Sequence, residues 1–160
     1  MRNKILRALG GIALAISLLA IFTPAWVSGQ AGGGRLEGSW DVRVTIRHCQ
    51  TGAEIRSFDS VTTFMFGGTL IDSTSGIPQS LRTPGQGIWS HVSGDTYRFS
   101  FKTFSFDTNN NFTGWAKITH EAQLDSNGDQ FSSAGTSEMY AANGTLLSTG
   151  CSSTTAKRFE

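Results

Sequence analysis

The stretch Gly38-Ser-Trp-Asp-Val-Arg-Val-Thr-Ile-Arg-His-Cys49 constrains this chain more than any other. Trp40, Val42, Val44 and Ile46 fall on one face, and Asp41, Arg43, Thr45 and Arg47 on the other. Alternation of that kind is the mark of a strand with one buried and one wet face. The stretch ends in one of only two cysteines. The other, Cys151, opens a last strand predicted over Cys151 to Phe159. Laid antiparallel with Cys49 opposite Cys151, the two strands bring Val42 opposite Arg158. First and last strands are then neighbours, and a sheet whose ends pair with each other is a closed barrel.

The remaining chain reads the same way. Strands are predicted over Ile55 to Phe66, Thr69 to Asp72, Ile88 to Val92 and Tyr97 to Phe106, with further alternating runs either side of Asn127-Gly128 and after Asn143-Gly144. Phe58, Thr62, Phe64 and Phe66 form one inward face. The aromatics at 97, 99 and 101 give way to 104 and 106, which predicts a β-bulge near Lys102-Thr103. Ser73 to Gln86 carries Gly76, Pro78, Pro84 and Gly85 without periodicity and is the one long loop, the kind that serves as a lid. No run has helical periodicity. The fold class is all-β: about eight antiparallel strands in an up-and-down barrel closed by its first and last strands.

Asn-Gly between alternating runs is a strong hairpin signal, and a two-residue loop fixes the register. Asn127-Gly128 sets Leu124 against Phe131, Ala122 against Ser133 and His120 against Gly135. Asn143-Gly144 sets Met139 against Ser148 and Gly135 against Ser152. Starting from Leu124 inward, this places Ser152, Thr154, Ala156 and Arg158 inward. The Cys49–Cys151 pairing, starting from Trp40, places the same four inward, and a one-residue slip would have reversed one result. Trp40, Val44, Leu124, Phe131 and Ala156 then gather at a closed end. Higher up, the inner wall holds Gly114, Ala116, Ser133, Gly135, Ser137 and Ser152, too small to fill a barrel that can otherwise hold one ligand.

Met-Arg-Asn-Lys-Ile-Leu-Arg, then an apolar run from Ala8 to Phe22, then small residues, follow the order of a secretory signal peptide. Fifteen residues are short of the ~20 that span a bilayer. The expected organisation is a signal peptide over 1–31, cleaved between 25 and 31, a glycine-rich linker over 32–37 and a barrel domain over 38–160. The protein is expected to be secreted or periplasmic, with no membrane anchor after cleavage. There, two cysteines favour a Cys49–Cys151 disulfide, two buried thiols being the alternative. Without the leader, ten basic side chains face twelve acidic ones. That balance gives no footprint for nucleic acid or an anionic membrane.

Gly38-x-Trp40 at the start of the first strand, with Arg158 facing the tryptophan near the chain end, resembles the calycin superfamily of lipocalins and avidin-like barrels. The resemblance implies an arginine stacked on the tryptophan at the closed end, a cation–π contact, and a small molecule bound inside. The later half also looks like small exported barrels and like plant-type dirigent and allene oxide cyclase barrels.

The ligand-lining candidates are His48, Tyr97, His120, Met139 and Ser152, with Tyr97 set opposite His120. Inward histidines in an open barrel suit an oriented ligand or general acid–base work, and interior histidines satisfied by hydrogen bonds are the plainer alternative. Along the ladder His48 and His120 lie ~14 Å apart, too far to share a metal ion. No metal or other cofactor is expected. Asp107-Thr-Asn109-Asn-Asn111 begins like a calcium loop but has Phe112 and Ile118 where glycine and glutamate belong, and reads as a turn. Three functions follow: a barrel that binds a small, mostly apolar molecule, an isomerase or cyclase using the same cavity, and an extracellular structural protein with no ligand.

Overall fold

The computed structural model describes residues 35–159. The expected signal peptide and residues 32–34 of the expected linker lie outside the described residues. Eight strands follow one another: β1 (Gly38–Arg47), β2 (Glu54–Met65), β3 (Thr69–Thr74), β4 (Gly85–Ser93), β5 (Thr96–Phe106), β6 (Phe112–Leu124), β7 (Gln130–Ala141) and β8 (Leu146–Arg158). Each pairs antiparallel with its sequence neighbour and β8 pairs with β1, so the sheet is a closed barrel. Closure removes both sheet edges and gives each strand one inward and one outward face.

The β6–β7 and β7–β8 registers are those the two Asn-Gly turns predict: Leu124 faces Phe131, His120 faces Gly135, and Met139 faces Ser148. The loops themselves are longer than two residues. The first spans 126–129, closed by the Asp125 N–H donating to the Gln130 carbonyl. In the second, the Ala141 N–H donates to the Thr145 carbonyl, and a register shift between Met139 and Tyr140 restores the ladder below it.

At the seam the expected pairing is off by two residues. Arg158 lies opposite Trp40, not Val42, and Cys151 lies opposite Arg47. The ladder ends at Arg47, and Cys49 sits in the following turn, from which it bonds Cys151 across a Cα–Cα distance of 5.2 Å. A shift of two leaves every side chain on its face. β8 also begins five residues before Cys151, at Leu146.

Three other expectations are corrected. The β5 ladder runs unbroken through Lys102 and Thr103, and its irregularity lies between Ser105 and Phe106. Thr103 stays inward and is 1% exposed, while Phe104, Phe106 and Phe112 cluster outside, Phe104–Phe112 at 5.9 Å and Phe106–Phe112 at 6.1 Å. Phe66 lies in the turn after β2 and is 89% exposed. The long loop shrinks to 75–84, because β3 reaches Thr74 and β4 starts at Gly85.

The closed end carries the core. Trp40, Phe64, Leu70 and Leu124 are almost fully buried, and Phe131 meets both Trp40 (4.9 Å) and Phe64 (6.0 Å) edge to face. Such pairs add ~0.5–1.5 kcal/mol each to the burial of the rings. Residues 35–37 belong to this end, not to a linker: Leu36 is fully buried, and its carbonyl accepts from the Trp40 indole at 2.9 Å.

Arg158 closes the floor. Its guanidinium carbon sits 4.3 Å from the centroid of the Trp40 ring. Its N–H groups donate to the carbonyls of Arg35 (2.8 Å), Glu37 (2.7 Å) and Gly128 (2.6 and 3.1 Å). One planar group thus ties residues 35–37, the β6–β7 turn and the tryptophan together. Gly38 is required here on two counts. Its φ is +118°, and a Cβ would come within 2.9 Å of the Arg158 guanidinium.

Candidate functional site

Above the aromatic floor the inward positions become small and polar, and an interior cavity of about 150 Å³ remains. Phe58, Phe99, Phe101 and Ile118 form its apolar walls. The loop 75–84 covers it, contributing Ile77 and Arg82 to the lining. That loop is held down: the Thr83 N–H donates to the Phe104 carbonyl (3.0 Å), the Phe106 N–H to the Leu81 carbonyl (2.9 Å), and Arg56 to the Gly76 carbonyl (3.2 Å). Met139, 41% exposed, and Arg56 also line the cavity, and both reach solvent.

Two buried polar clusters stand out on the lining. The first is His120, 3% exposed and stacked on Phe99 at 5.4 Å. Its Nδ1 lies 2.7 Å from Ser133 Oγ and its Nε2 2.8 Å from Ser152 Oγ, and Ser133 is 2.6 Å from Thr154 Oγ1. A neutral imidazole donates from one nitrogen and accepts at the other, so this chain of hydroxyls can run in either direction. Burial lowers the His120 pKa from 6.5 to about 4, and the ring is neutral at physiological pH. Gly135 makes room for it, because a Cβ there would stand 2.5 Å from the His120 ring and 2.0 Å from the Thr119 carbonyl oxygen.

The second is an ion pair, Asp72 with Arg82. Asp72 Oδ1 accepts from Arg82 at 3.3 Å, and Oδ2 accepts from the hydroxyls of Ser60 (2.6 Å) and Thr62 (3.1 Å). Both side chains are about nine-tenths buried. Sequence reasoning missed this pair. One signal was present: Leu70, Asp72 and Thr74 share the inward phase of β3, and a carboxylate on an inner wall demands a partner. The partner comes from a loop without periodicity, where spacing says nothing.

Of the residues expected to line the cavity, His120, Met139 and Ser152 do, and His48 and Tyr97 do not. His48 follows the last residue of β1 and is exposed at the barrel rim. Tyr97 lies opposite Ala122, not His120, and packs into the closed end against Trp89 (6.0 Å) and His91 (5.1 Å). Burial raises its pKa. Phe99 takes the place opposite His120. Cys49 and Cys151 form the disulfide, beside the exposed first residues of β8.

The segment 107–111 is a turn in which Asp107 Oδ1 accepts from the N–H groups of Asn109 (2.8 Å) and Asn111 (2.9 Å). Among the described residues, no group of three or more His, Cys, Asp or Glu side chains converges as a metal would require. A larger hollow, about 1020 Å³, runs along the outer wall past Asp41, Arg43, Asp59 and Lys157. It is open to water and bordered by exposed charges, so it does not enclose a ligand.

No family model matches this sequence, and no curated protein matches it. Among solved structures the chain is similar to the crystal structure of Rv2717c from M. tuberculosis, at 14% identity. The match covers 79% of this chain and 94% of that one with a TM-score of 0.38. At that level the likeness carries no argument about function.

Proposed function

We propose that this is an exported, calycin-like barrel that binds a small, mostly apolar molecule in its upper interior. The observation that carries this reading is the cavity: apolar walls of Phe58, Phe99, Phe101 and Ile118, with two buried polar clusters on the same lining. Apolar walls with a few placed polar groups are the general form of a small-molecule site. The Cys49–Cys151 disulfide is consistent with an oxidising compartment. The cyclase alternative needs a base that is effective near neutral pH. A histidine whose pKa is about 4 is a weak one, and both ring nitrogens of His120 already meet serine hydroxyls.

Native mass spectrometry of the protein purified from its own host tests the reading. The expected spectrum carries an added mass of a small organic molecule that is lost on denaturation. A spectrum of the bare chain, unchanged after incubation with extracts of the host's medium, would favour the structural alternative. Turnover of a retained compound, abolished by His120→Ala with binding intact, would favour the enzyme.

A further inference from the structure

The cavity also constrains the kind of molecule it takes, and this inference rests on the binding reading above. Usable sites for drug-sized ligands run from about 300 to 1,000 Å³, and a dry protein cavity of about 150 Å³ takes up benzene. At about 150 Å³, this interior accommodates a single ring with one small substituent.

Charge narrows it further. Arg82 is about nine-tenths buried and lines the cavity, yet among the described residues its guanidinium donates one side-chain hydrogen bond, at 3.3 Å to Asp72. A guanidinium has five N–H groups, and no fully enclosed side-chain nitrogen or oxygen among the described residues lacks a partner. The remaining N–H groups of Arg82 therefore border accessible space, and the space this buried side chain lines is the cavity. They call for an acceptor. That acceptor need not be charged, because Asp72 already balances Arg82, and Asp72 is itself held by Ser60 and Thr62. His120 brings no positive charge, being neutral, and the other guanidinium on the lining, Arg56, is exposed to water, which screens it. A carboxylate entering here would be a second anion on one arginine in a poorly solvated site, where like charges repel and an unbalanced charge is costly.

We infer that the cavity selects an uncharged, single-ring-sized molecule carrying one hydrogen-bond acceptor, a carbonyl or hydroxyl oxygen, which the guanidinium of Arg82 holds.

The test uses the disulfide-bonded protein and three probes of similar shape: toluene, acetophenone and benzoate, titrated by ligand-observed NMR at pH 7. Acetophenone is expected to bind about ten-fold more tightly than toluene, the worth of one hydrogen bond to a charged donor, and more tightly than benzoate. In Arg82→Met the acetophenone-to-toluene preference should collapse towards one. Because that variant leaves Asp72 buried without its partner and can unfold, Asp72→Asn/Arg82→Met removes both charges together and should show the same collapse. Toluene bound as tightly as acetophenone, benzoate bound best, or a preference that survives the double variant would each overturn the inference while leaving a binding barrel. Failure of all three probes to bind would overturn it together with the proposed function.

Discussion

At the closed end of the barrel, inward positions hold Trp40, Phe64, Leu124 and Phe131, ring against ring, with Arg158 sealing the floor. Further along the same strands, the inward positions of β7 and β8 hold Ser133, Gly135, Ser137, Ser152 and Thr154. Neither the backbone pairing nor the strand count changes between the two regions, only side-chain volume and polarity. The lower region is stable because it is full. The upper region is hollow, and its order comes from hydrogen-bonded hydroxyls, a buried ion pair, a pinned loop and a disulfide. A barrel of eight strands can thus put its stability at one end and keep the other for a guest.

The largest expected effect concerns what holds the upper region. Cys49 and Cys151 are separated by 102 residues, and in the chain-entropy model a loop of that length stabilises by ~4–5 kcal/mol. Cys49→Ala/Cys151→Ala should lose most of that in a denaturant titration. The unfolded, unreduced wild type should show no titratable thiol, and two would remove the disulfide from the account.

Truncations separate the two regions directly. Phe64→Ala at the floor should cost ~3–5 kcal/mol, as expected for a large side chain leaving a cavity in a full core. Met139→Ala, at the half-open rim, should cost under ~1 kcal/mol. Equal losses would mean that the upper interior is packed like the lower.

Acid should act on the upper region first. The unfolded chain protonates His120 near its ordinary 6.5, whereas the folded protein holds that pKa down to about 4. The unfolded state therefore binds the proton first, and stability present above pH 6.5 is lost as the pH falls towards 4. The loss from this group is on the order of 3 kcal/mol. His120→Asn should flatten that part of the stability–pH curve, and an unchanged slope would show that His120 is not buried as described.

Loss of the floor clamp should cost less than a floor truncation. Arg158→Lys keeps the charge but cannot lie flat on Trp40 or reach three carbonyl groups at once. A loss of ~1–3 kcal/mol is expected, with a shift in tryptophan emission. Arg158→Ala with unchanged midpoint and emission would deny the clamp.

What the sequence could and could not convey follows the same division. The inward phase of every late strand was legible, because Leu124, Ala122 and His120 alternate and the Asn-Gly turns fix their partners. It survived a two-residue error at the seam, because side-chain direction repeats every two residues. His48 leaves the inner wall because the ladder, and with it the alternation, stops at Arg47. Tyr97 keeps the expected face at a different height, since no sequence signal fixes the β5–β6 register. The strand needs no bulge at Lys102-Thr103, because its later aromatics are not interior. Phe104 and Phe106 instead join an outer cluster with Phe112, and Lys102 lies over Trp115 at 4.0 Å. Arg82 was beyond reach, because a loop contact has no period.

The central claim is that a small apolar molecule enters the upper interior and leaves the floor alone. Methyl and imidazole NMR shifts, followed while toluene or acetophenone is added, test it most directly. The account predicts saturable shifts at Ile118, Met139 and His120, with Leu70 and Leu124 unmoved. No shifts in the interior, or shifts as large at Leu70 and Leu124 as at Ile118, would contradict it.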